Sequence, residues 1–353
     1  MKRINLAAPS KFNLQRGTAG MGILAAMMVV GVITALAVKY SWRSDLDLAR
    51  AGHRWMGMQA KAYIEGAERL AVIALKKDKQ DTTIDSLDEA WATGFDFPTD
   101  HGLMQVTIND AQGRINVNAL GAEFISQNGQ QLSGVAKYSV EQKRFIRFLQ
   151  TIEIEEDEYI STAEAEAILE AVKDWVDADS QATGYGGAEA DYYSQLDYVI
   201  TPSDGPMISV SELMLIKGMT PALYQGLLPF VSALDASAEL NVLTMSTTIA
   251  RVINQPDQLV PLSFDDAELL IDDIATGEIE SVDDFIALPV IDTLVGKNSR
   301  GAVNLDRKGL GIASSFFELD TTITVGEHVR RGRSLIERDS TGTRVIRRSD
   351  SKF

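Results

Sequence analysis

The sequence predicts an α+β fold: one long N-terminal helix packed on a small antiparallel sheet, with a large all-α insertion splitting the sheet in two. Three observations predict it. No proline occurs between Pro9 and Pro98, and that stretch opens uncharged and continues with helical spacing. Period-two alternation, the mark of half-buried strands, appears near residues 103–118 and again near 316–348. Helical periods dominate the residues between.

The helix comes first. Thr18 to Val38 is a run of 21 residues without a charge. As a helix it is about 31 Å long, enough to span a bilayer core. Lys2, Arg3, Lys11 and Arg16 precede it. The positive-inside rule therefore leaves Met1–Gly17 in the cytoplasm, and everything after Lys39 is then exported on a single-pass anchor. A cleaved signal peptide ending at Ala35-Leu36-Ala37 competes with this reading. Against it, the helical pattern continues beyond the run, with Tyr63, Ala67, Leu70 (or Ala71) and Ala74 at spacings of three and four. One helix from about Ala19 to Lys77 is predicted, apolar all round at first and amphipathic later.

The sheet follows in two pieces. Leu103–Ile108 suits a strand, Asn109–Gly113 is turn chemistry, and Arg114–Asn118 alternates again, which predicts a β-hairpin. Far downstream, Phe317, Leu319, Thr321, Ile323 and Val325 alternate. Gly326, Val329–Glu337, Ser340–Thr343 and Arg344–Arg348 then complete a predicted three-strand meander, whose arginines suit a solvated sheet face.

Within the insertion, Ser209–Met219 aligns with Ser281–Ile291. Both begin with a capping pair, Ser209/Glu212 and Ser281/Asp284, and run into apolar residues, as two similar helical subdomains would. The first copy is reminiscent of helix-hairpin-helix modules that hold DNA backbone. Those modules need glycine-opened amides and nearby bases. The second copy has Val290 where the glycine would sit, among Asp265, Asp266, Asp272, Asp273, Asp283 and Asp284, so no nucleic-acid partner is expected.

The other notable stretch runs from Asp174 through Asp177, Asp179 and Gln181 to Glu189 and Asp191. The alternation is like that of an EF-hand loop, but Ala182 replaces the glycine and Glu189 comes one place late. Carboxylates crowded on a Gly-rich loop repel one another, and a hard cation relieves the repulsion. Calcium suits such irregular oxygen coordination better than magnesium. A solvated acidic loop is the plainer alternative.

Charge and composition exclude several functions. The chain carries −17 overall but +4 in residues 1–17 and +4 in 327–353, leaving −25 between them. Such a body is unsuited to nonspecific nucleic-acid binding. Without cysteine there is no disulfide, thiolate metal site or Cys nucleophile, and three scattered histidines form no HExxH pair. Neither GxSxG nor a P-loop occurs, which points to an assembly protein rather than an enzyme. A membrane-anchored periplasmic hydrolase using paired carboxylates is the alternative. Pairs such as Asp265/Asp266 do not face one another on a helix and read as a solvated surface.

Several segments together carry a family resemblance. They are Gln59–Glu68 on the helix, Asp85–Trp91, Asp110–Asn118, the acidic loop with Gly187-Ala-Glu189 and Tyr192, Ser211-Glu-Leu213, and Asn241-Val242. In this order they resemble the K-type minor pseudopilin of bacterial type II secretion systems, over nearly the whole chain. The junction Gln15-Arg16-Gly17 before an uncharged run is similar to a pilin-like cleavage site, which implies cutting by a prepilin peptidase between Gly17 and Thr18. Mature position 5, usually Glu in such proteins, is Gly22. A buried Glu needs a partner in lipid, and its absence suits a subunit with none ahead of it, at a tip.

The resemblance implies a pseudopilin core with a helical insertion at the tip of a periplasmic pseudopilus. It implies partnership with I-type and J-type minor pseudopilins and the major pseudopilin, and contact with secreted cargo and the secretin. It also implies calcium held by Asp177, Asp179 and Glu189, with Asp174 and Asp191 as further ligands. The implied divisions are a prepilin leader (1–17), a transmembrane helix (18–39), pseudopilin core (40–120 and 313–353), and the insertion (121–312). A minor pilin of a related type IV pilus or competence system is the runner-up.

Overall fold

The structure, a computed structural model, describes residues 15–99, 102–156, 158–326 and 328–349, with backbone only for 15–19. The chain divides into two compact units, Met1–Lys61 and Ala62–Phe353.

Within the first unit the described residues belong to helix α1 (Gln15–Asp81), which starts four residues earlier than the expected Ala19. Its apolar part is exposed, reaches a mean hydropathy of 2.5, and is long and apolar enough to cross a membrane. Gly17 and Thr18 lie in the first turns, while residues 1–14 of the expected leader fall outside the described residues. At Gly22 a Cβ would meet nothing within 4 Å, so packing within the chain does not demand a glycine there.

The second unit opens with the remainder of α1. Ala67, Ala71 and Leu75, four apart, are buried, whereas Leu70 is exposed. The buried stripe is therefore the one that runs through Ala71. It packs on a five-stranded antiparallel sheet in the order β1 (Phe95–Thr99), β2 (Gly102–Asp110), β3 (Phe316–Val325), β4 (His328–Arg338), β5 (Thr343–Ser349). Met104, Val106 and Ile108 of β2 are buried, as are Phe317, Leu319, Ile323 and Ile336 of β3 and β4. Gly332 sits under α1, where a Cβ would come 3.0 Å from Ile64 Cδ1. Glu68 fixes the register of helix on sheet. It is buried, and it accepts hydrogen bonds from Ser334 Oγ and Arg348 Nε, both at 2.7 Å. Burial pushes its carboxyl up, but the bonds from Arg348 and Ser334 outweigh it and the pKa is lowered.

The β3–β4–β5 meander forms as predicted. The expected hairpin of 103–108 with 114–118 does not. β2 pairs instead with β1 on one side and with β3 on the other, from Phe317↔Asp110 to Val325↔Gly102. Ile115–Asn116 pairs in parallel with Val231–Ser232, and Val117–Gly121 is a 3-10 helix capped by the Asn116 side chain. Two contacts turn the chain away. Asp110 Oδ1 accepts the Gln112 N–H at 2.8 Å, and Gly113 lies so close to Thr244 that a Cβ would be 2.7 Å from its carbonyl oxygen. β1 carries Pro98, which an edge strand tolerates.

Because β2 and β3 are neighbours, the helical body leaves and rejoins the sheet at one point. It contains α2 (Val140–Leu149), α3 (Thr162–Val176) and α4 (Ala190–Tyr193), followed by further helices, among them the 13-residue Phe264–Thr276. Ser139/Gln142 and Ser161/Glu164 form capping boxes that start α2 and α3. The two repeat segments both fold as capped helix–turn–helix pairs, 210–215 with 221–227 and 282–286 with 289–295. Their buried residues, Leu213 and Phe285 among them, join a single core with Phe145, Leu169 and Trp175.

Candidate functional site

The acidic loop hangs from α3. Glu170 and Asp174 are four residues apart and so lie on one helix face. Both reach into the loop: Gly186 N–H donates to Glu170 at 2.8 Å, and Thr183 and Ala188 N–H donate to Asp174 Oδ2 at 3.0 and 2.8 Å. Gly187 permits the approach, since a Cβ there would sit 2.3 Å from Asp174 Oδ2. Asp174 thus organises the loop, and three bonds from backbone amides occupy its oxygens.

Asp177 follows the last turn of α3, its side chain 7% exposed. Its Oδ2 pairs with Lys173 Nζ, while its buried Oδ1 has no partner. Burial raises its pKa despite Lys173, and the charges of Asp179 and Asp174 add to the rise. Asp179 is exposed and uses Oδ1 to accept the Gln181 N–H at 2.7 Å, a local turn. Glu189, 7% exposed, also has a buried oxygen without a partner, Oε1. Its pKa is pushed up to about 7, first by burial and then by Asp174, Asp177, Asp204 and Asp179.

Asp177 and Asp179 share a group with Glu123, their carboxylate oxygens within 4.8 Å of one another. Lys173 Nζ bridges Asp177 and Glu123, the latter at 3.4 Å. Asp191, on the first turn of α4, is exposed and lies outside this group. Sequence reasoning missed Glu123 and Asp204, which come from other segments, and Glu170, whose role is to hold the loop. Nothing in their spacing marks them.

Every donor here is a carboxylate oxygen, and two of those oxygens are buried and unpartnered. Glu123, Asp177 and Asp179 fit a hard, oxygen-seeking cation, whereas Glu189, like Asp191, lies outside their group. A cation would relieve the mutual repulsion that raises Glu189.

Residues 113–236 match the family model described as type II secretion system (T2SS), protein K. A type II secretion system protein K from Pseudomonas aeruginosa is 30% identical over 284 residues, 77% of this chain and 77% of that one. The chain belongs to the type II secretion system protein K family. The family's Klebsiella pneumoniae member is 29% identical over 334 residues, covering 93% of this chain and 95% of that protein. Among solved structures, the GspK-GspI-GspJ complex of the enterotoxigenic Escherichia coli type 2 secretion system contains a similar chain. The TM-score is 0.68 at 24% identity, over 86% of this chain and all of that one, a likeness of fold.

Proposed function

We propose that this chain is a non-enzymatic minor pseudopilin at the tip of the type II secretion pseudopilus, assembled with I-type and J-type minor pseudopilins and starting or capping the growth of the fibre. Membership of the protein K family carries the reading. The fold's likeness to a chain solved together with GspI and GspJ supports it. The helical body emerges between adjacent strands β2 and β3, so it enlarges the subunit without breaking the sheet. The apolar part of α1 is the membrane anchor, with the N-terminus cytoplasmic, a leader removed by prepilin peptidase and the new terminus methylated. The test is co-purification of the full chain with the I-type and J-type subunits of the same system. A stable three-way complex supports the reading, and failure of all pairings under conditions where each subunit folds counts against it.

The acidic loop binds calcium as a structural ion in this reading. The orphan oxygens Asp177 Oδ1 and Glu189 Oε1 support it most directly. Glu123, Asp177 and Asp179 form the donor group, Glu189 joins them as a further ligand, and Asp174 holds the loop in shape. Bound calcium supplies positive charge that ties the loop to α3. The chain's own residues do the positioning.

A further inference from the structure

The charge-free run of α1 ends at Val38, and the helix continues unbroken through Lys39, Tyr40, Ser41, Trp42 and Arg43. Tyr40 is 81% exposed and Trp42 71%, so nothing among the described residues covers either ring. Lys39 and Arg43 are exposed beside them. Two large aromatic side chains in water are a cost that an outside partner would remove.

Helix geometry says which partner lies at this height. The run from Thr18 to Val38 measures about 31 Å, the thickness of a bilayer's hydrocarbon core. The headgroup layer adds roughly 5–7 Å on each side of that core. With Val38 at its edge, Tyr40 stands about 3 Å out, Trp42 about 6 Å and Arg43 about 7 Å. Both rings and both cations therefore fall in the headgroup layer. The first acidic residue of the whole chain, Asp45, stands about 10 Å out, past that layer and in water. Trp55, also exposed, is about 25 Å out and beyond the reach of lipid.

The residue types match the depth. An indole or phenol ring lays its apolar body against the acyl chains and keeps its N–H or O–H among the headgroups. Lysine and arginine side chains reach outward to phosphate oxygens.

We propose that Lys39, Tyr40, Trp42 and Arg43 form a collar that binds the phospholipid headgroup layer, on the side of the membrane from which α1 runs on to the second unit, and fixes the depth of the helix. The collar rests on the reading of α1 as the membrane anchor and adds where that anchor stops.

The test is tryptophan quenching in the full chain, reconstituted into vesicles of phosphatidylcholine and phosphatidylglycerol. The phosphatidylcholine carries bromine either high on its acyl chains, next to the headgroups, or near their ends. Trp91 and Trp175 are buried, and the difference between the natural chain and Trp42→Phe isolates the Trp42 signal. High bromines are expected to quench that signal roughly twice as strongly as deep ones. Lys39→Glu together with Arg43→Glu should weaken the high-bromine quenching, because phosphate repels the reversed charges. Washing the vesicles with alkaline carbonate separates two failures. A chain that washes off has no anchor, and the collar falls with that reading. A chain that stays, but with Trp42 unquenched, overturns the collar alone and gives the rings to a neighbouring helix instead. Strongest quenching by the deep bromines, or unchanged quenching in the charge-reversed chain, also overturns it.

Discussion

Asp110, the last residue of β2, accepts a 2.6 Å hydrogen bond from the hydroxyl of Ser314, two residues before β3. The bond closes the neck through which the helical body leaves and re-enters the sheet. Thr244 Oγ1 and Asn241 Nδ2, both from that body, donate to the same carboxylate oxygen at 2.6 and 2.9 Å. Burial pushes the Asp110 carboxyl up despite these four donors, Gln112 N–H included. Asp110→Ala would strand several buried donors. It is expected to cost about 3 kcal/mol of unfolding free energy, read by denaturant titration of the full chain. A loss of less than about 1 kcal/mol would mean that the neck is held elsewhere.

A second expectation concerns pH. Asp78, near the end of α1, pairs with Arg338 at 2.9 Å but also faces Asp85 and Glu89. Burial, with the charges of Glu89 and Asp85, raises its pKa to about 6 against the pull of Arg338. The fold therefore favours the protonated form. The contribution to stability is complete below the ordinary aspartate value near 4 and is lost as the pH rises through about 6. Asp78→Asn should raise the melting temperature at pH 7.5 and flatten its decline between pH 4 and 7. A lower melting temperature at pH 7.5 would show that the Arg338 pair outweighs the repulsion.

Glu189 offers a sign test of the metal reading. With chelator present, its charge is repelled by its neighbours, so Glu189→Gln should stabilise the chain. With calcium present, the same substitution removes a ligand and should cancel most of the calcium-induced rise in melting temperature. The wild-type chain should lose stability on chelation. A substitution effect of the same sign in both buffers would remove Glu189 from the site.

Gly187→Ala tests whether the loop's shape matters apart from its charge. The added methyl would meet Asp174 Oδ2 at 2.3 Å and Thr183 O at 2.4 Å, mostly fixed groups. The loop must move away from α3, and the calcium response should fall with every carboxylate still present. An unchanged response would show that the Asp174 clamp does not shape the site.

Much of this was legible in the sequence, for identifiable reasons. The β3–β4–β5 meander announces itself because Leu319, Thr321, Ile323 and Val325 put one face of a strand in the core. Asp177 and Glu189 are legible as acidic residues of one short loop, which Gly-Ala-Glu189 marks. The hairpin was misread because β2 alternates toward a partner that the sequence places beyond the whole insertion. Arg114–Asn118 alternates for a different reason: Asn116 accepts the Leu234 N–H at 3.1 Å and Asn118 donates to Leu234 O at 2.8 Å, within the helical body. Glu123 is invisible in the sequence because it comes from a separate segment, which only folding brings beside Asp177 and Asp179.

The most direct test of the central claim is the mature N-terminus. Mass and terminal sequence would be measured on the full chain, expressed with and without a prepilin peptidase. The account expects a peptidase-dependent start at Thr18, with the apolar part of α1 retained. A start at Val38, or a chain unchanged by an active peptidase, would contradict it, because the helix that anchors a pseudopilin subunit would be discarded or the leader never recognised.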